Sequence, residues 1–216
     1  MATDWLLVHP PLLGPAVLGP LATELRRRGA TVAVPDLRPA VVEAQGWPER
    51  WVAAAAAPAD AVLGFSGAGV TLPTVAAEVG ARRVVWVDAL VPAPSGETVA
   101  DADIRSRIPA LIEADGRITD WTTWWGPGGL DELIPDAGLR AAIRAEGHRL
   151  PGNFYDIAVP VPDAWPEDGA RYVQLSAAYD DGAAEARARG WPVVGGPDGA
   201  HLDIATEPRR VADLLG

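Results

Sequence analysis

The strongest constraint on this chain is a regular exchange of short apolar runs with segments of helical period. Trp5-Leu6-Leu7-Val8 is apolar at every position, the pattern of a strand buried on both faces rather than one. Similar strand-like runs follow at Thr31 to Val34, Ala61 to Phe65, Arg83 to Val87, Tyr172 to Leu175 and Pro192 to Val194. Between them lie helical stretches over about 16–28, 48–57, 66–79, 182–189 and 208–215. The first carries Val17, Leu21 and Leu25 on one face and stops at Gly29, a good residue just beyond a helix end. The third contains Pro73, which is expected to kink it because proline lacks the N–H of the helical ladder. Six strands alternating with helices predict a mostly parallel six-stranded sheet flanked by helices, a single α/β domain. Sheets of this kind place their sites at the carboxyl ends of the strands.

The alternation breaks once. From about 91 to 170 the chain is rich in Pro, Gly and Trp, with only short helical patches. This stretch falls between the fourth and fifth strands, so it reads as a cap inserted over the active edge of a core made of 1–90 and 171–216. A chain of 216 residues, 49% apolar and 22% charged, is long enough for one such domain.

Composition removes several function classes. A net charge of −11 argues against nucleic acid or an anionic membrane as a partner, because phosphate binding needs clustered cations. The chain has no cysteine, which excludes disulfides, thiolate catalysis and cysteine-bound zinc. All 18 basic residues are Arg, so no lysine exists for a Schiff base or a phosphate-binding P-loop. Acidic pairs such as Asp101 and Asp103 lack a plausible ligand set, and neither a metal nor an organic cofactor is expected. With no basic leader and no apolar run near the roughly 20 residues of a membrane span, a cytoplasmic location is expected.

The chemistry concentrates at two places. Gly64-Phe65-Ser66-Gly67-Ala68-Gly69 follows an apolar strand and opens a helix, the context a nucleophile elbow requires. The serine sits on a sharp turn, small neighbours let strand and helix approach, and the helix N-terminus favours negative charge nearby. The plainer reading is a Gly-rich turn with an incidental serine. His201, in Gly199-Ala200-His201-Leu202, follows the last strand and precedes the terminal helix, where it can reach the same sheet edge as a base. His148, beside Glu146 and Gly147, reads as solvated.

With these features, the chain resembles the α/β-hydrolase superfamily over nearly its whole length. It is most similar to the compact group containing plant methylesterases and hydroxynitrile lyases. The resemblance is carried by Val8-His9 followed by Gly14 and a helix, by Pro35-Asp36-Leu37, by the Ser66 elbow, and by the His201 loop followed by Pro208. It implies a Ser66–His201–acid triad with the Gly67 N–H as one oxyanion donor. Two departures stand out. The family usually reads His-Gly after the first strand and uses the next backbone N–H as the second donor. Here His9-Pro10-Pro11-Leu12 puts a proline at that donor position, and the Leu12 N–H would have to substitute. His9 itself is expected to anchor this loop at the substrate side. The acid is the second departure. Tyr179 stands where spacing expects the carboxylate, with Asp180 and Asp181 just beyond, while Asp88 ends the fourth strand, where some family members carry theirs. Asp88 and Asp180 both remain candidates, and helix capping is a sufficient role for Asp180.

Trp121, Trp124 and Trp125 in the cap, with Phe65 beside the elbow, are candidates for an aromatic wall around an acyl or aryl group, although tryptophans in an insertion also form its core. The function these readings favour is serine-dependent acyl transfer by an esterase, thioesterase or acyltransferase. The substrate would be a small-molecule ester or thioester, free or carrier-bound, as in bacterial natural-product pathways. Alternatives are a lyase, cyclase or epimerase using Ser66 and His201 for protons, and a catalytically silent binding module. A monomer or homodimer is expected.

Overall fold

The computed structural model describes residues 3–216. Eight strands run β1 Asp4–Val8, β2 Thr31–Ala33, β3 Ala61–Ser66, β4 Arg83–Ala89, β5 Gly96–Thr98, β6 Val159–Val161, β7 Ala170–Gln174 and β8 Val193–Gly195. Nine helices are described: α1 Gly19–Arg27, α2 Trp47–Ala55, α3 Leu72–Val79, α4 Ala102–Arg107, α5 Gly129–Leu133, α6 Ala137–Ala145, α7 Asp180–Ala188, α8 Asp203–Thr206 and α9 Pro208–Leu215. The main sheet has the order β2-β1-β3-β4-β7-β8, and every pairing in it is parallel. Because the chain moves from β1 outward to β2 and then back past β1 to β3, the strand order reverses at β1. Loops diverge there and leave room above the carboxyl ends.

Side chains alternate across the sheet and feed two cores. Leu6, Val8, Val62, Val84, Trp86 and Tyr172 face one cluster with Trp47, Trp51 and Trp191. Trp5, Leu7, Leu63, Phe65, Val85, Val87, Val173 and Leu175 face the other, with Leu21 and Leu25 of α1 and Val211 and Leu215 of α9. This explains the continuous apolar strands, since both faces are covered and each fully buried Leu or Val contributes about 1.5–3 kcal/mol.

The six core strands fall where the apolar runs put them, but the helix after β3 is built differently from expectation. Residues Gly67–Thr71 form a tight 3-10 turn, and the α-helix starts only at Leu72, with Pro73 in its first turn. No kink results, because a first-turn residue has no intrahelical partner for its N–H in any case. Between β4 and β7 the chain makes the antiparallel pair β5–β6, helices α4 to α6, and single turns. The C-terminal end of α6 is tied to the β1–α1 and β2–α2 connections. Glu146 Oε2 accepts the Ala16 N–H at 2.8 Å, and Arg38 donates to the Glu146 carbonyl at 2.9 Å. Among the described residues, no helix is long and apolar enough to cross a membrane.

Candidate active site

Two residues other than glycine have a positive φ among those described, Ser66 at 55° and Asp88 at 40°. Both lie in the last two residues of neighbouring strands, at the carboxyl edge. Left-handed backbone costs a non-glycine residue of order 1–3 kcal/mol and persists only where packing enforces it. At Ser66 the enforcement comes from its glycines. A Cβ on Gly64 would lie 2.7–2.9 Å from the Leu72 side chain, and one on Gly69 would collide with the Leu90 carbonyl oxygen and approach Trp86 Cδ1 to 2.9 Å. The Trp86 indole donates to the Gly69 carbonyl at 2.9 Å and holds the turn down on β4.

Asp88 is set by a bulge. Phe65 pairs with Val87, but Ser66 pairs with Ala89, so Asp88 is the extra residue. Val84, Trp86 and Ala89 share one core, so the bulge gives Ala89 the side that strict alternation would have given Asp88. The carboxylate is thereby aimed off the strand end. It is fully buried yet well satisfied. Oδ1 accepts the Leu175 and Ser176 N–H groups at 2.6 and 3.2 Å, and Oδ2 accepts the Ser176 hydroxyl at 2.5 Å. The fourth donor is His201, whose Nδ1 lies 3.1 Å from Oδ2. With its proton on Nδ1, the ring presents an unprotonated Nε2, which has no hydrogen-bond partner among the described residues.

The structure therefore brings Ser66, Asp88 and His201 to one edge and leaves Asp180 out. Asp180 Oδ1 instead accepts Gln174 Nε2 at 2.6 Å, and the residue lies exposed in the first turn of α7. The His201 loop is fixed from below: Asp203 Oδ2 accepts the Ala200 N–H at 2.9 Å and pairs with Arg210, and the Gly199 N–H donates to Leu175.

Sequence reasoning missed the role of Tyr179. Its hydroxyl lies 2.8 Å from Ser66 Oγ, and its ring stacks on His201 with centroids 4.6 Å apart and planes within 16°. Phe65 stacks on the same imidazole at 4.4 Å and 25°. Both rings lie nearly parallel to the imidazole but form no pair with each other, so they take opposite faces. Burial pushes the Tyr179 phenol up to about 12, with the Asp88 charge adding to the effect and the Ser66 bond opposing it. No hydrogen bond joins Ser66 to His201; the serine hydroxyl is held by Tyr179. Catalytic hydrogen bonds are often long without substrate and tighten in the complex. The one sequence signal for Tyr179 was its position, where spacing called for a carboxylate.

Around Ser66, the Pro10–Leu13 turn is closed by the Leu13 N–H donating to the Pro10 carbonyl at 3.1 Å. Pro11 presents its ring to Gly67, with Cδ 3.5 Å from where a Gly67 Cβ would stand. The Leu12 N–H has no partner among the described residues. His9 is fully buried, and both ring nitrogens are committed to backbone: Nδ1–H donates to the Pro10 carbonyl at 3.0 Å and Nε2 accepts the Leu37 N–H at 2.9 Å. No nitrogen is left for a substrate, and burial lowers this imidazole to about 4. His148 is not solvated as expected. It is half-buried, with Nε2 2.7 Å from the Pro11 carbonyl, and so clamps the loop from the cap side.

Of the cap tryptophans, Trp121 is buried and packs edge-on against Trp125 at 5.1 Å, and the Trp124 indole donates to the Thr119 carbonyl at 3.0 Å. Trp125, at 43% exposure, is the member of the three open to solvent. Trp121 and Trp124 thus serve first as core.

No family model and no curated protein sequence matches the chain. Solved structures do. An extracellular α/β-hydrolase from a Paenibacillus species, described as sharing structural and functional homology with tobacco salicylic acid binding protein 2, superposes with a TM-score of 0.71 at 20% identity, covering 99% of this chain and 97% of its own. Polyneuridine aldehyde esterase gives 0.69 at 16% identity, with 100% and 98% covered. A pyrethroid hydrolase from Sphingobium faniae gives 0.68 at 19%, with 100% and 96% covered. The chain therefore has the α/β-hydrolase fold over its whole length.

Proposed function

We propose that this protein is a serine-dependent acyl-transfer enzyme acting on an apolar or aromatic ester or thioester. The observation that carries the proposal is the convergence of a strained Ser66 elbow with the Asp88–His201 pair, 3.1 Å apart, at one sheet edge. In this reading His201 Nε2 takes the Ser66 proton as Oγ attacks the carbonyl carbon, and the carbonyl π pair moves to oxygen. Asp88 holds the tautomer that leaves Nε2 free and stabilises the imidazolium that forms. The oxyanion rests on the Gly67 N–H and the open end of the helical turn behind it. Collapse expels the alcohol or thiol, which takes the proton from His201, and water or another acceptor then resolves the acyl-enzyme.

An ester substrate is supported by the fold neighbours described as an esterase and a pyrethroid hydrolase. Trp125, exposed beside Trp121, supplies an aromatic surface for the acyl or aryl part. A net charge of −11 disfavours an acidic carrier protein as the donor. A second reading is favoured by one observation, the engagement of Ser66 by Tyr179 rather than His201. There Ser66 and His201 would move protons in a lyase, cyclase or epimerase without an acyl-enzyme. A fluorophosphonate probe separates the two. Labelling that is lost in Ser66→Ala, together with ester turnover lost in the same variant, supports acyl transfer. An unlabelled wild-type protein whose ester turnover equals that of Ser66→Ala refutes it.

A further inference from the structure

Tyr179 has no place in the triad, yet it is the residue that touches the nucleophile. We propose that Tyr179 is the second oxyanion donor of this site, its phenolic O–H supplying the hydrogen bond that Pro11 cannot make. The inference rests on the acyl-transfer reading of Ser66.

Three independent observations converge on it. The position after His9-Pro10 carries no N–H, and the Pro11 ring is turned toward Gly67, against the backbone that holds the first donor. A tetrahedral intermediate held by one donor alone is short of stabilisation by a factor of about 10²–10³. Next, the Tyr179 hydroxyl already lies 2.8 Å from Ser66 Oγ. After attack, Oγ and the oxyanion are bonded to the same carbon, so a donor that reaches one can reach the other with little movement of its ring. Lastly, Tyr179 is held in place: its ring stacks on His201 at 4.6 Å, its backbone N–H donates to the Ser176 carbonyl at 3.3 Å, and the residue stands at the entrance of α7.

The phenol acts as donor and not as base. Its proton is retained through neutral pH, because burial and the nearby Asp88 charge oppose ionisation. At rest the hydroxyl bonds to Ser66. When the Ser66 proton passes to His201 and the carbonyl becomes an oxyanion, the same O–H turns to that oxygen. No proton leaves Tyr179, and the bond is strongest when the charge is greatest, as transition-state stabilisation requires. The arrangement also accounts for an aromatic residue at the place where spacing calls for an acid. With Asp88 supplying the carboxylate from β4, that position is free to face the nucleophile.

The test uses Tyr179→Phe, which keeps the ring and its stacking and removes only the hydroxyl. Expected is a fall in kcat of about 10²–10³ on an aryl ester, with KM within about threefold. Affinity for an arylboronic acid, which forms a tetrahedral adduct on serine, should fall comparably, while affinity for the unreactive ether analogue stays within about twofold. Circular dichroism and melting temperature matching the wild type exclude a folding defect. If Tyr179→Phe keeps kcat and boronate affinity within threefold while fluorophosphonate still labels Ser66, the inference is wrong and the serine reading stands, with the Leu12 N–H as the remaining donor. A wild-type protein that the probe does not label overturns both.

Discussion

Replacing Asp88 by Asn probes the site at its most constrained point. The backbone tolerates the change, because asparagine accepts left-handed φ more readily than most residues and Asp88 sits at 40°. Four donors meet the carboxylate: the Leu175 and Ser176 N–H groups on Oδ1, and the Ser176 hydroxyl and His201 Nδ1 on Oδ2. In Asp88→Asn the amide oxygen stays against the two backbone donors, and the NH2 takes the place of Oδ2. The Ser176 hydroxyl can turn and accept from it. His201 can do so only by giving up its Nδ1 proton, which moves to Nε2, where the ring can no longer take the proton of Ser66. The corresponding tautomer switch in serine protease triads lowers kcat about 10⁴-fold, or about 5 kcal/mol of barrier. Stability should fall far less, by about 1–3 kcal/mol, since the group remains hydrogen-bonded but loses its charge. Steady-state turnover of an aryl ester and urea unfolding measure the two quantities. Asp180→Asn is the companion variant, expected within threefold of wild type because Asp180 faces Gln174. A kcat/KM for Asp88→Asn within tenfold of wild type, or an equal loss in Asp180→Asn, refutes the assignment of the acid.

Three further outcomes follow from packing and burial. Gly69→Ala drives a Cβ into the Leu90 carbonyl and against Trp86, and is expected to cost about 1–3 kcal/mol in urea unfolding. Gly19→Ala, at the start of α1 with nothing within 4 Å of its new methyl, should be neutral or stabilising. His9 has a folded-state value of about 4 against 6.5 for the free imidazole. Between these values the unfolded chain binds a proton that the native one refuses, so stability is full above pH 6.5 and is lost as pH falls toward 4. The loss attributable to His9 is about 3 kcal/mol, at 1.36 kcal/mol per pH unit. Chemical unfolding at several pH values should show it, and His9→Gln should flatten that window.

The placement of Ser66 and His201 at one sheet edge is legible in the sequence because their signals are local: glycines flanking a serine at a strand end, and a histidine between the last strand and the last helix. The six core strands were legible for the same reason, since burial on both faces writes an uninterrupted apolar run. The choice between Asp88 and Asp180 was not. It turns on a one-residue bulge opposite Ser66, a backbone event with no glycine or proline to mark it. The sequence alone makes His148 look solvated, because its partner, the Pro11 carbonyl, lies 137 residues away in the chain. Tyr179 was noticed only as an absent carboxylate. What it does depends on a contact across 113 residues that no local pattern encodes. The cap tryptophans stay open between two readings in the sequence, because an aromatic residue needed for packing and one facing a substrate look identical there.

The central claim is that Ser66 becomes acylated. It is tested most directly by quenching the reaction with a slowly hydrolysed aryl ester in acid and locating the added mass by peptide mass spectrometry. The account predicts one acyl group on the peptide bearing Ser66, formed in a burst of about one equivalent of phenol and absent in Ser66→Ala. Turnover of the ester with no adduct on Ser66, or an adduct that persists in Ser66→Ala, would contradict it.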